Sequence, residues 1–493
     1  MRNTAEIRNP NESGLTIADG TSELTTPASP HPHASAMHVR AAQCALEHAI
    51  RDRRPTLLSA SGPCNQDDMI EWLARYSAVP SVYFRTREGV EYAGIGAAWE
   101  MRIADSFSTK DLIDSAQSIL KSRSYSDGEG ALPAFIGGMP FDRESDDPQW
   151  RGAGFGAVRL FVPEALRIRD QSGSFLIAST EVRPTDTIHD ILSRLDVVLA
   201  GYAPPTSPGR LESHSRWTIV ADDSRDDWDR GVWHALSHIS TNRVSKVVLS
   251  RHVRLRCDGR PDRWEVLERL RRFDDSCFTF LFDFGLGASF VGASPEQLFK
   301  LEEDRLAVDC IAGTMSPPTG YGDDEQIERL MLADEKICRE HEHVAGLLRD
   351  DISALCLEDA PSVEPRIMRL RTLRHLRSIQ RGRLRPGTSL GDVITRLHPS
   401  AAVGGRPRPE ALELIRSLEP HARGWYAGPV GYVSADRAEF AVAIRSALVD
   451  KDGAWAYAGA GIVAGSDPEA EWSETAHKLQ AFLRAVNASA DPH

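Results

Sequence analysis

Several features that would place a chain in a large functional class are scarce here. The seven cysteines (Cys44, Cys64, Cys257, Cys277, Cys310, Cys338 and Cys356) are scattered, odd in number and without a C-x-x-C pair, which argues against a disulfide framework and against a thiolate zinc module. No run of about 18 apolar residues exists to span a bilayer, and the N-terminus lacks the basic-then-apolar order of a secretory leader. A cytoplasmic protein without a membrane partner is therefore expected. Basic residues are not in surplus: the net charge is −13 over 493 residues, so nucleic acid, whose phosphates are met by cationic stripes, is not expected as a partner. An acidic ligand would have to be met by local cations. No internal repeat is visible.

What is present is an ordinary globular composition, 41% hydrophobic and 26% charged, enough for one large core or two smaller ones. Residues 1–36 are rich in Ser, Thr, Pro, Asn and His and read as a disordered tail. A globular pattern runs from about Met37 to Tyr202, and the segment 203–210 (APPTSPGR) reads as a surface connection. Beyond Trp217, β-branched and aromatic enrichment predicts strands over 244–256, 278–284, 439–449 and 455–463. Between them, apolar residues three and four apart predict one helix over about 325–354. Strands and helices without a strict alternating rhythm indicate an α/β or α+β fold built as a large layered domain.

Several residues stand out chemically. Gly459-Ala-Gly461-Ile-Val-Ala-Gly465 follows an apolar stretch and precedes a helix opening at Ser466-Asp467-Pro468. Its spacing departs from the dinucleotide fingerprint, but its glycines would let an anion approach the backbone N–H groups; a tight turn with a helix cap explains the segment equally well. Glu471, Glu474 and Lys478 share one face of the last helix, as a solvated ion pair or as part of a site. Glu340 stands at the edge of the apolar stripe, where a carboxylate suits Mg²⁺. The adjacent His341-Glu-His343 lacks the H-E-x-x-H spacing of zinc hydrolases. Lys246 among Val247, Val248 and Leu249 either snorkels from an edge strand or is a buried, neutral general base. Arg445 in an apolar strand raises the parallel question, its planar fork being suited to a carboxylate.

Eight segments in collinear order, Lys246-VVLSR251, Gly292-ASPE296, Ile311-AGT314, Glu335-KICREH341, Leu397-HPSAAVGGRP407, Glu419-PHARGWYAGPVGY432, Ala441-VAIRSA447 and Tyr457-AGAGIVAGSDPEAEWSET475, resemble the chorismate-utilising enzymes. Among these, the RGWYAGPVGY, AVAIRSA and AGAGIV strings are most similar to the isochorismate synthases. The resemblance covers about 217–486; residues 37–215 are more weakly similar to the family's N-terminal half, and 216–490 would form the chorismate-binding core. It implies a single large domain of two packed β-sheets sandwiched between helices.

It also implies roles. Lys246 matches the base that activates water, and Glu296 the acid that protonates the departing hydroxyl. Glu340 and Glu474 match Mg²⁺ ligands, with Glu471 reaching the metal through water. Arg445, Tyr426 and the amides of Gly459 and Gly461 match groups that hold substrate carboxylate, while Thr314, His398 and Lys478 match pocket residues. Ammonia-using anthranilate synthases typically carry Gln where this chain has Lys246, and aminodeoxychorismate synthases a nucleophilic Lys in place of Ala312. The pair present here points to water as nucleophile, with salicylate synthase as the alternative and no glutamine amidotransferase subunit; a monomer is expected. Two departures are mild: the turn Ser434-Ala-Asp-Arg-Ala438 replaces an acidic, glycine-containing one, and Ser400 replaces the Thr of HPT.

Overall fold

The computed structural model describes residues 36–490 except 77–79, 104–107, 123, 128–131, 145–146, 202–215, 316–323, 360–363 and 370–373. The expected tail, apart from Ala36, and the expected connection over 203–210 lie outside the described residues.

Among the described residues the chain builds a fourteen-stranded and a ten-stranded sheet. The aromatic and β-branched run Phe278–Asp283 is buried at all six positions, as a strand covered on both faces must be. It pairs with Ala288–Ser294 on one side and with Ser81–Arg85 on the other, so the large sheet passes without a break from one half of the sequence to the other. In the smaller sheet Pro429–Val433 likewise joins Arg437–Val442 to Phe135–Gly138. One domain is the consequence, because neither half of the chain can complete either sheet alone.

The main core fills the space where the sheets face each other, with Phe84, Phe278, Phe282 and Trp425 among its fully buried members beside Phe135, Phe161 and Phe440. Rings meet across it in tilted and edge-on pairs, such as Phe155 with Trp425 at 5.0 Å and Tyr92 with Tyr432 at 4.6 Å. The large sheet's outer face buries a second cluster against helices including Arg263–Phe273 and Pro468–Ala485. On the smaller sheet, Glu335–Leu355 packs against Arg374–Leu384, where Gln380 Nε2 donates to Ala345 O at 2.8 Å. Two packed sheets sandwiched between helices is thus the observed architecture.

Two expected elements are each divided. The helix expected over 325–354 is two, Asp324–Ala333 and Glu335–Leu355. Asp334, although in phase with the stripe, is extended and accepts from the N–H groups of Lys336 and Ile337, so its side chain starts a new helix instead of continuing the old one. The strand expected over 439–449 is also two, Arg437–Val442 in the smaller sheet and Ser446–Asp450 in the larger. Between them Arg445 adopts φ +51°, a left-handed turn that no strand accommodates. By contrast, the helix opening after Ser466 is found at Pro468–Ala485, capped by Asp467.

Candidate active site

Glu296 and Arg445 occupy equivalent places in two neighbouring crossovers. The chain leaves the large sheet after Ser294, turns through Pro295 and Glu296, and enters the smaller sheet at Gln297; alongside it, antiparallel, the chain returns from Val442 through Arg445 to Ser446. The crossovers are bonded together: Val442 N donates to Glu296 O at 3.0 Å, and Ala293 N to Arg445 O at 3.2 Å. Ser294 Oγ stiffens the turn by donating to Val442 O at 2.6 Å while accepting from Glu296 N at 3.2 Å. Among the described residues no hydrogen-bond or ion-pair partner engages the Arg445 guanidinium. A left-handed backbone at a non-glycine residue is a strained arrangement of the kind that gathers at ligand sites.

Lys246 begins the strand Lys246–Asp258, between Arg406 on one flank and the strand Gly453–Ile462 on the other. Its side chain crosses Gly461 so closely that a Cβ there would lie 2.8 Å from Cε and 3.3 Å from Nζ. Burial, the dominant effect, lowers the Lys246 pKa; Lys478 adds to this, while Glu340, Glu296 and Glu474 oppose it. Lys246 therefore lies within electrostatic range of Glu296, Glu340, Glu474 and Lys478. Glu296 is pushed the other way, to about 7, first by burial and then by the Asp309 carboxylate, against the pull of Lys246, Lys478 and Arg87. Burial thus pushes the lysine toward its neutral form and the carboxyl toward its protonated form, each against its habit in water. A cleft beside Glu296 is lined by Asp309, Ile311, Val344, Leu348 and Ser400.

The final helix contributes the carboxylates. Lys478 Nζ reaches Glu474 Oε1 at 2.7 Å and donates to Gly459 O at 2.8 Å. This half-exposed i,i+4 pair contributes only about 0.3–0.5 kcal/mol, so a ligand can displace it at little cost. Ser466 Oγ donates to Glu471 Oε1 at 2.7 Å. The Glu471 carboxyl is raised by burial and by neighbouring Glu474 and Glu340, and lowered by Ser466 and Lys478. Glu340, Glu471 and Glu474 do not all bring an oxygen within 4.8 Å of one another, so they do not form a closed cage; a hard cation could be held there only by one or two of them, with water and substrate completing its shell. Glu340 itself is exposed, not at a core edge as the sequence stripe suggests; the buried row is Ile337, His341 and Ala345, narrower than the stripe.

Tyr426 is buried, stacked on Tyr457 at 5.1 Å, and its hydroxyl lies 3.2 Å from where a Gly459 Cβ would stand. Burial raises its pKa, so the phenol keeps its proton and can donate. Thr314 Oγ1 bonds His375 Nδ1 at 2.9 Å. His398 follows the helix Leu390–Leu397 and bonds Phe141 O through Nε2 at 3.0 Å; burial holds it neutral, near 4. None of the contacts described joins His398 to the Lys246–Glu296 pair.

Sequence reasoning passed over two features. His375 is kept neutral at about 3 by burial, Arg445 and Lys478, which places it in the same site. It hid in the arginine-rich strand Arg374–Leu384, where one more polar residue is no signal. Behind Glu296, Asp309 is gripped by Arg87 at 2.5 Å and by Arg377 at 2.9 Å. A charge inside Val308-Asp309-Cys310-Ile311 is the same irregularity that marked Lys246, and it could have been read.

Comparison with known proteins agrees with this geometry. The family model described as "Chorismate binding enzyme" matches residues 44–487. Isochorismate synthase MenF of Bacillus subtilis is 34% identical over 357 residues, covering 72% of this chain and 74% of its own. Anthranilate synthase component 1 of Aeropyrum pernix is 30% identical over 463 residues, covering 93% and 98%. The solved structure of MenF, the menaquinone-specific isochorismate synthase from Escherichia coli, superposes with a TM-score of 0.73 at 26% identity over 90% of this chain and 99% of that one. Fold and sequence agree: the chain belongs to the chorismate-binding enzyme family and is an enzyme that acts on chorismate.

Proposed function

We propose that the protein is an Mg²⁺-dependent isochorismate synthase, an isomerase that adds water at one ring carbon of chorismate and expels hydroxide from another. The observation that carries this reading is the opposed bias of Lys246, lowered by burial, and Glu296, raised to about 7. Neutral Lys246 takes a proton from water as its oxygen adds, and Glu296 gives its proton to the hydroxyl that leaves. Each transfer lowers the barrier by a typical ~10²- to 10⁴-fold. Arg445, Tyr426 and the Gly459–Gly461 backbone would hold substrate carboxylate, and Thr314, His375 and Lys478 would bound the pocket. Mg²⁺ at Glu340 and Glu474, with Glu471 nearby, would screen the ring carboxylate and draw electron density from the diene.

Overall similarity does not choose between water and ammonia, since anthranilate synthase components match the chain about as extensively as isochorismate synthases do. Single residues favour water: Lys246 stands where the resemblance puts the Gln that ammonia-using relatives typically carry, and position 312 is Ala, with no nucleophilic amine. No amidotransferase subunit is then required. The test is product analysis of the purified protein with chorismate and Mg²⁺ in ¹⁸O-water and excess ammonium. An equilibrium of chorismate and isochorismate, labelled at the ring carbon that gains hydroxyl, is expected, because the same acid and base serve both directions. An aminated product refutes the reading, and rapid formation of salicylate and pyruvate makes the protein a salicylate synthase.

A further inference from the structure

Away from the carboxylates, three segments distant in sequence bring Asp223, His252 and His421 together, with one ligand atom of each within 4.8 Å of the others. Asp223 follows the strand Arg216–Asp222, His252 lies midway along Lys246–Asp258, and His421 lies in the turn after the helix Arg408–Leu418. His252 N donates to Asp223 Oδ2 at 2.8 Å and fixes the carboxylate. Its own Nδ1 stands 2.7 Å from Oδ1, and His421 Nδ1 stands 3.7 Å from Oδ2. The His421 Nδ1 is buried and lacks a hydrogen-bond partner among the described residues, and the His421 side chain is only 9% exposed. Its Nε2 is occupied by Ser250 Oγ at 3.2 Å. The two imidazoles stack at 4.4 Å, with Trp455 on the other side of His252 at 4.7 Å.

Each neutral imidazole carries one N–H: at 2.7 Å the His252 Nδ1 can give its own to Asp223 Oδ1, whereas His421 Nδ1, 3.7 Å from Oδ2, is beyond hydrogen-bond reach. That nitrogen is left buried and unmatched beside the carboxylate. A divalent cation satisfies both nitrogens and the carboxylate. We propose that Asp223, His252 and His421 form a binding site for a divalent cation of the zinc class. Two nitrogens and one oxygen suit this borderline metal and not hard Mg²⁺. The Ser250 bond to the far nitrogen of His421 is the outer-shell support that ligating histidines require. Because the rings lie within 22° of parallel, each must turn about its Cβ–Cγ bond to bring its lone pair onto the ion, and water takes the fourth position.

Along the strand, His252 is six residues from Lys246, about 20 Å at 3.3 Å per residue, so the ion takes no part in the chemistry there. It would instead pin the turn that carries Arg423, bonded to Val248 O at 2.7 Å and Val403 O at 2.8 Å, and Tyr426 beyond it. The test uses the full chain, stripped with a chelator and titrated with ZnCl₂ and, for spectroscopy, CoCl₂. One tightly held equivalent, a tetrahedral Co²⁺ absorption band and a higher melting temperature with zinc are expected. His252→Gln and His421→Gln should each weaken that equivalent more than ~100-fold, since loss of an outer-shell partner alone costs ~10- to 100-fold. Glu340→Gln should keep it. Should a histidine variant fail to fold, Asp223→Asn retains the size and the acceptor for His252 N and must also weaken binding. Absence of the equivalent, undiminished uptake in the variants, or its loss in Glu340→Gln would overturn the proposal.

Discussion

Replacing Gly461 by Ala tests the placement of the base without touching its chemistry. A Cβ at this position would meet Lys246 Cε at 2.8 Å and Nζ at 3.3 Å, whereas carbon atoms settle at about 3.5–4.0 Å. The aliphatic stem must therefore withdraw by roughly 1 Å. Displacement of a reacting group by that much costs on the order of 10²-fold in rate, or about 2.7 kcal/mol of transition-state stabilisation. The strand backbone can accept alanine, since Gly461 is not among the residues with positive φ, so the melting temperature should not fall. Steady-state kinetics with chorismate should show kcat reduced about 100-fold with KM nearly unchanged. Gly346→Ala, where an added Cβ meets nothing within 4 Å, is the control and should keep wild-type turnover. Wild-type kcat in Gly461→Ala would refute the position of Lys246, and a loss confined to KM would move Gly461 from the base's neighbour to a substrate contact alone.

Glu296 must be protonated to act as the acid, and with its pKa at about 7 kcat/KM should fall as pH rises through that value. Arg87 opposes the upward shift, so Arg87→Met should move this limb to higher pH; an unmoved limb would detach it from Glu296. Glu340→Ala or Glu474→Ala should raise the Mg²⁺ requirement steeply, because a hard-cation site with few protein ligands cannot spare one, and full activity in EDTA would refute the metal assignment. A fragment spanning 217–486 should not fold, since Phe278–Asp283 and Pro429–Val433 lose their partners Ser81–Arg85 and Phe135–Gly138; a cooperative thermal transition would contradict that.

Legibility in the sequence followed the range of the interaction concerned. Strands at 244–256, 278–284 and 455–463 were readable because burial selects β-branched and aromatic residues locally, and they are found at Lys246–Asp258, Phe278–Asp283 and Gly453–Ile462. The breaks at Asp334 and Arg445 were not, since each interrupts an otherwise continuous pattern through a single residue's cap or turn. At the site, Lys246 and Arg445 betrayed themselves as charges in apolar runs, although the structure ends the strand before Arg445, while Glu474 and Glu471 carried weight only through resemblance. Asp309 shows the same sign as Lys246, yet its partners, Arg87 and Arg377, come from opposite sides of it in sequence, the nearer 68 residues away. His375 acquires its meaning only from Thr314 and Arg445, neighbours that no spacing rule brings to it.

The paired crossovers that hold Glu296 and Arg445 impose a constraint on how such a catalyst can be altered. Both residues sit on the bridges between two sheets, and the bridges are bonded to each other, so Glu296 and Arg445 share one mechanical frame. Any sliding of one sheet over the other moves both together, and a substitution that retunes one disturbs the other. Lys246 and Ala312 stand on strands that belong to a single sheet each, where a side chain can be exchanged without straining the bridge. An engineer wishing to change the nucleophile should work on those two walls and leave the bridge untouched.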